Sequence, residues 1–239
     1  MNLESFEKFS PMHAIVVIVS ALIVAIVVIL SRKIRAKSPA KADRFRLGMG
    51  IAVVAFQILH NIYWLFLRDN GFDLYESLPL HFCDISGLVA AAALLFPHRK
   101  IVTLLYFWGV GLSITAFIIP VLTEGPTHLV FWTFWSSHLI IVGSAIYFVF
   151  AEGYKPAFKD LLFALAVTTG YVLALLALNI VIDANYGYVG RESQATEFLG
   201  AWPFPRLPLI FLGGAILEIA AWLPFGIMAR LRTCRPARP

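Results

Sequence analysis

The chain has 239 residues, of which 60% are apolar and only 14% charged, with a mean hydropathy of +0.82. A soluble domain carries roughly a quarter charged residues, and a transmembrane barrel shows short alternating segments rather than long apolar runs. Composition therefore argues against both. The net charge of +5 is explained below by loop topology, and no nucleic-acid partner is expected from it.

Apolar runs of about 20 residues, the length needed to cross the hydrocarbon core as helices, recur along the chain. They predict an all-α polytopic membrane protein, a seven-transmembrane-helix bundle forming a single domain over residues 1–239. The expected spans are 13–30, 47–67, 78–96, 101–122, 129–150, 158–182 and 207–229. Positive charges follow the first run and no small-residue cleavage site stands out, so it reads as a retained anchor rather than a signal peptide. The loop expected after it holds Arg32, Lys33, Arg35, Lys37, Lys41, Arg44 and Arg46.

Spans three and four are separated by Pro97-His98-Arg99-Lys100, which predicts a tight antiparallel hairpin. Lys155 and Lys159 lie between spans five and six, and Arg230, Arg232, Arg235 and Arg238 follow span seven. The alternate connections carry mostly acids: Asp69, Asp73, Glu76, Glu124, Asp183, Glu192 and Glu197. By the positive-inside rule the N-terminus is outside and the C-terminus cytoplasmic, as an odd number of spans requires. The expected location is the plasma (inner) membrane, multi-pass. Membrane lipids are the environment and a candidate substrate. Cys83 and Cys234 fall at opposite ends of the bundle, which excludes a disulfide framework.

Ionisable groups inside such spans are costly and mark functional sites by default. His13 caps span one; His60, with Gln57 about one turn deeper, lies in span two. His81, Cys83 and Asp84 open span three, His138 is in span five, and Glu218 lies near the middle of span seven. Asn185 and Tyr186 follow span six. Most of these fall in the outer half of the bundle, which predicts a polar pocket opening outward. On span three, His81 and Asp84 are about 60° apart and Cys83 is about 100° from Asp84 on the other side, so one broad face holds all three.

The residues alone leave three chemistries open. Cys83 is either a small buried hydrophobe or a nucleophile activated by His138, with Asp84 or Glu218 orienting an imidazole. The pocket is alternatively the ligand site of a non-enzymatic transporter subunit or receptor. His13, His60, His81 and His138 also permit a haem or metal reading, but no pair shows close ligand spacing, so no metal and no cofactor is expected.

Four segments carry a resemblance. They are Leu78-Pro79-Leu80-His81-Phe82-Cys83-Asp84-Ile85-Ser86, Ser137-His138, Asn185-Tyr186-Gly187-Tyr188 and Leu199-Gly200-Ala201-Trp202-Pro203-Phe204. Their order and spacing resemble the YwaF-type bacterial integral membrane proteins. That family is similar to the eukaryotic transmembrane protein 164 family, for which a phospholipid acyltransferase activity is proposed. The resemblance implies Cys83 as nucleophile and His138 as its histidine, in a lipid acyltransferase or acyl hydrolase. The eukaryotic motif reads Pro-Cys-His, whereas here Asp84 follows Cys83 and the neighbouring histidine, His81, precedes it by two residues.

Overall fold

The computed structural model describes residues 3–67, 71–75, 77–190 and 206–233. The segment 199–204 and Cys234 lie outside the described residues. Among those described, the secondary structure is helical apart from a single bridge between Ser5 and Glu124. The helices are α1 (Pro11–Lys37), α2 (Pro39–Ile62), α3 (Phe82–Leu95), α4 (Arg99–Tyr106), α5 (Leu129–Phe150), α6 (Phe158–Ile182) and α7 (Arg206–Thr233).

The first basic loop is not a loop. α1 runs through Lys37, α2 starts at Pro39, and Ser38 alone separates them. Its N–H donates to Ile34 O and its hydroxyl accepts from Lys41 N–H, so one residue caps both helices, and Pro39 occupies the first position of α2. Lys and Arg are good helix formers, so the helices outlast the apolar runs that mark the spans.

The expected third span is also shorter than its apolar run. Pro79 has no N–H, the Leu78 N–H is taken by a tyrosine hydroxyl, and helix begins only at Phe82. At 14 residues, α3 is about 21 Å long, short of the roughly 30 Å hydrocarbon core. Among the described residues, six stretches are long and apolar enough to cross a membrane: Pro11–Lys37, Pro39–Leu67, Arg99–Phe117, Leu129–Phe150, Phe158–Ile182 and Leu207–Leu231.

Two helices change pitch. α2 continues as a π-helical segment, Tyr63–Leu67, just after His60. α4 passes into a π segment at Phe107–Leu112 and a 3-10 turn at Ser113–Phe117. Such departures from α geometry often accompany functional sites. By contrast Pro224 stays inside α7 and does not end it.

α3 is the pivot of the core. Ala90, Ala91, Ala93 and Leu94 are buried against Val53 of α2 and Ile141, Ala145 and Phe148 of α5. Small side chains let the backbones approach closely, which is how helices associate in lipid. The outward faces carry large exposed apolar groups, Ile15, Ile18, Leu22 and Ile26 on α1 and Leu162, Leu173 and Ile180 on α6 among them.

Ion pairs brace the basic end. Arg99 donates through two nitrogens to Asp160, whose Oδ2 also accepts the Ala157 N–H that starts α6. Arg35 pairs with Glu152, which also accepts from the Tyr147 hydroxyl. At the opposite end the first residues fold back on the loop after α4. Phe6 N–H donates to Thr123 O and Gly125 N–H to Glu4 O, above a cluster of Phe6, Met12, Leu122, Phe131 and Trp135.

Candidate functional site

Asp84 is the centre of the polar groups. As the third residue of α3 it accepts the His81 N–H on Oδ2 at 3.0 Å, a capping box that fixes the start of the helix. Its other oxygen, Oδ1, faces His60 Nε2 at 3.7 Å and receives the Cys83 thiol at 4.0 Å. Gln57, one turn below His60 on α2, donates to the backbone carbonyl of Asp84 at 3.3 Å. Gly87 makes that reach possible. A Cβ there would stand 2.8 Å from Gln57 Cδ and 2.9 Å from its Oε1, and closer still to Nε2.

His60 is buried and stacks on Phe56 at 5.7 Å. Its Nδ1 is also buried and has no hydrogen-bond partner among the described residues. A carboxylate beside Nε2 and a free Nδ1 make it a fixed imidazole with one nitrogen in reserve.

His138 is fixed differently. Its Nδ1 lies 2.8 Å from the Phe134 carbonyl, which can only accept, so Nδ1 carries the proton and Nε2 keeps its lone pair. His138 lies on α5 about one turn before Ile141, which packs in the core that α3 and α5 share. Among the described residues no hydrogen bond joins it to Cys83.

Cys83 is half-buried, packed at the edge of the α2–α3–α5 core. It occupies the second position of α3, in the first turn. Helix N-termini present unpaired N–H groups and a partial positive charge, which suits a developing anion.

A second layer holds this turn. Tyr186 is fully buried; its hydroxyl donates to Leu74 O at 2.6 Å and accepts from Leu78 N–H at 3.1 Å. Its ring lies 5.3 Å from that of His81, and Tyr188 adds a second ring at 5.7 Å. Tyr186 is itself held by Asn179, which donates to its carbonyl and accepts its N–H. Asn185 caps the next turn by accepting from Gly190 N–H. Tyr171 donates to Leu80 O at 2.8 Å and packs on Phe82, whose ring lies 4.9 Å from that of Trp108. Sequence reasoning missed Tyr171 and Trp108. Apolar spans absorb aromatic residues without any local sign, and only tertiary contact distinguishes these.

The groups that meet Asp84 are thus His60, Gln57, His81 and Cys83, with the Tyr186 ring behind His81. His13 is elsewhere. It accepts from Phe9 N–H on Nδ1 and meets Phe117 O through Nε2, packed beside Trp135. A groove of about 460 Å³ runs past it between α1 and Phe117–Ile118, away from Asp84. Both His13 nitrogens are used in holding chain segments together. Glu218 is also separate, bonded to Thr168 between α6 and α7. Among the described residues, no group of three or more His, Cys, Asp or Glu side chains could hold a metal ion.

No curated protein and no solved structure matches the chain. A family model described as the TMEM164 family matches residues 8–223, from just before α1 to well into α7. This is a multi-pass membrane protein, and it belongs to the TMEM164 family.

Proposed function

We propose that this protein is a lipid acyltransferase or acyl hydrolase of the plasma (inner) membrane, with Cys83 as nucleophile and His138 as general base. The observation that carries the reading is the first turn of α3. There a thiol sits against the Asp84 carboxylate, which also faces His60, and α5, which packs on α3, carries His138 with its Nδ1 on the Phe134 carbonyl.

The chemistry balances on these groups. His138 Nε2 takes the thiol proton as sulfur attacks a phospholipid ester carbonyl. The backbone N–H groups at the start of α3 face the negative charge that develops on the carbonyl oxygen. Collapse breaks the ester C–O bond, and the lysolipid oxygen leaves with the proton from His138. The thioester then passes its acyl group to a lysolipid hydroxyl or to water, whose proton returns through His138 to the thiol. Cys83 must turn from Asp84 toward His138 for the first step.

Seven spans in one domain, with α3 as a short one and the basic end cytoplasmic, put this turn near the outer surface. Acyl-CoA is absent there, so another lipid is the donor. Incubating the purified wild type, Cys83→Ala and His138→Asn with labelled phospholipid and lysolipid tests the reading. Transfer is expected in the wild type alone, and equal transfer by Cys83→Ala would remove Cys83 as nucleophile.

One observation favours a second reading. The polar groups converge on Asp84, and the thiol donates to it rather than to His138. A small-ligand receptor or transporter subunit would use that carboxylate as its anchor. Ligand-dependent thermal stabilisation that survives Cys83→Ala would support this reading over acyl transfer.

A further inference from the structure

Glu218 lies at the middle of α7, where the backbone N–H groups are all used within the helix. Its carboxylate is fully buried, so it depends on side chains from other helices. One oxygen is provided for: Thr168 of α6 donates its hydroxyl to Oε1 at 2.6 Å, and Trp108 Nε1–H donates to Thr168 at 2.8 Å. The other oxygen, Oε2, is shut off from the surface and has no hydrogen-bond partner among the described residues. Gly111 of the π segment packs against Glu218, where a Cβ would stand 3.6 Å from Cγ.

A cavity of about 40 Å³ adjoins the carboxylate between α6 and α7. Its polar lining is Thr168, Thr169 and Glu218, and the remainder is apolar. We infer that this cavity binds a small alkali cation of the sodium class, with Glu218 as its charge partner and the threonine hydroxyls as neutral ligands.

Three considerations select that ligand. The available donors are all oxygens, which suit hard cations. One carboxylate and one monovalent ion leave no net charge in the hydrocarbon, whereas a divalent ion would leave an uncompensated positive charge at high cost. The volume admits a small ion and a water or two, since a water needs about 10–15 Å³ measured this way, and excludes an organic cation. The inference does not depend on the acyl-transfer reading, because Glu218 shares no hydrogen bond with the Asp84 cluster.

The test uses the full chain purified in detergent in choline chloride. Melting is followed while NaCl, LiCl, KCl or MgCl₂ replaces choline at constant ionic strength, and ²²Na⁺ binding is measured in parallel. A saturable rise in melting temperature with Na⁺, not reproduced by Mg²⁺, is expected. Glu218→Gln keeps an acceptor for Thr168, and Thr169→Val is isosteric. Each is expected to weaken Na⁺ binding about tenfold or more. If Glu218→Gln does not fold, Thr169→Val carries the comparison. Identical wild-type melting in all salts overturns the inference, as does an undiminished Na⁺ response in both variants. Melting that follows pH alone would assign Oε2 to a proton and also overturn it.

Discussion

Gly87→Ala probes the contact that ties α2 to the candidate site. The added Cβ would stand 2.8 Å from Gln57 Cδ and 2.9 Å from Oε1, inside van der Waals contact. Gln57 is buried and cannot simply swing into solvent. Overpacking of this kind costs about 1–3 kcal/mol. Losing the Gln57 hydrogen bond to Asp84 O adds about 0.6 kcal/mol for an interhelical bond in a membrane protein. Alanine in place of glycine returns about 0.8–1.0 kcal/mol of helix propensity. The net expectation is a loss of about 0.6–2.8 kcal/mol, from those three figures taken together. Gln57→Ala removes the clash, so in that background Gly87→Ala becomes neutral or stabilising by up to about 1 kcal/mol. The coupling is therefore about 2 kcal/mol, within the range for residues in contact. Equilibrium unfolding of the four proteins in mixed micelles measures it. An equal cost of Gly87→Ala in both backgrounds would refute the close approach of α2 and α3 on which the site depends.

Other perturbations separate the roles of the supporting groups. Tyr186→Phe leaves the Leu78 N–H and Leu74 C=O without their partner; thermal unfolding is expected to show a loss of about 1–3 kcal/mol, and unchanged melting would dismiss Tyr186 as the strut beneath His81. Asp160→Ala removes the carboxylate that caps Ala157 and pairs with Arg99, for a loss of about 2 kcal/mol. Asp160→Asn retains an acceptor, so its unfolding curve should lie between the two. Asp84→Asn keeps an acceptor for His81 N–H while removing the charge beside His60. Stability should move by less than about 1 kcal/mol while acyl transfer falls about tenfold or more. Unchanged transfer by this variant would confine Asp84 to capping α3.

Hydropathy located the bundle well because it reports where hydrocarbon begins. It does not report where helices end, which is why Arg32 to Arg46 read as a loop although the backbone stays helical on both sides of Ser38. The late start of α3 had a local signature: proline at 79, then His81 and Asp84 at capping-box spacing. That spacing also explains part of Asp84 without any chemistry. The grouping of His60, Gln57 and Asp84 followed from depth along the spans, since groups at one level on neighbouring helices are apt to meet. Depth failed for His13, whose imidazole is drawn to Phe9 and Phe117 by a fold-back of the first residues. It failed again for Glu218, because depth does not say which helices are neighbours. The pairing of α6 with α7, and so of Thr168 with Glu218, is a tertiary fact without a local pattern.

The two intramembrane carboxylates obey different rules, and the difference assigns their roles. Asp84 stands at a helix N-terminus, where free N–H groups and the helix dipole favour negative charge, and His60 adds a second partner. A carboxylate held this way is a fixed element that positions other groups. Glu218 has no such terminus nearby, since α7 extends a dozen residues or more on either side. Its only donor among the described residues is a hydroxyl that is itself braced by Trp108. A carboxylate left half-satisfied at mid-helix needs something from outside the chain, which is why a ligand is invoked at Glu218 and not at Asp84. Trp108 stands between the two sites, donating toward Glu218 through Thr168 and packing on Phe82 beside Cys83. Occupancy at Glu218 therefore has a direct mechanical neighbour in the first turn of α3. If the sites are coupled, Trp108→Phe will break the hydrogen bond to Thr168 while keeping the ring on Phe82, so that Na⁺-dependent stabilisation falls and the Cys83 turn stays in place.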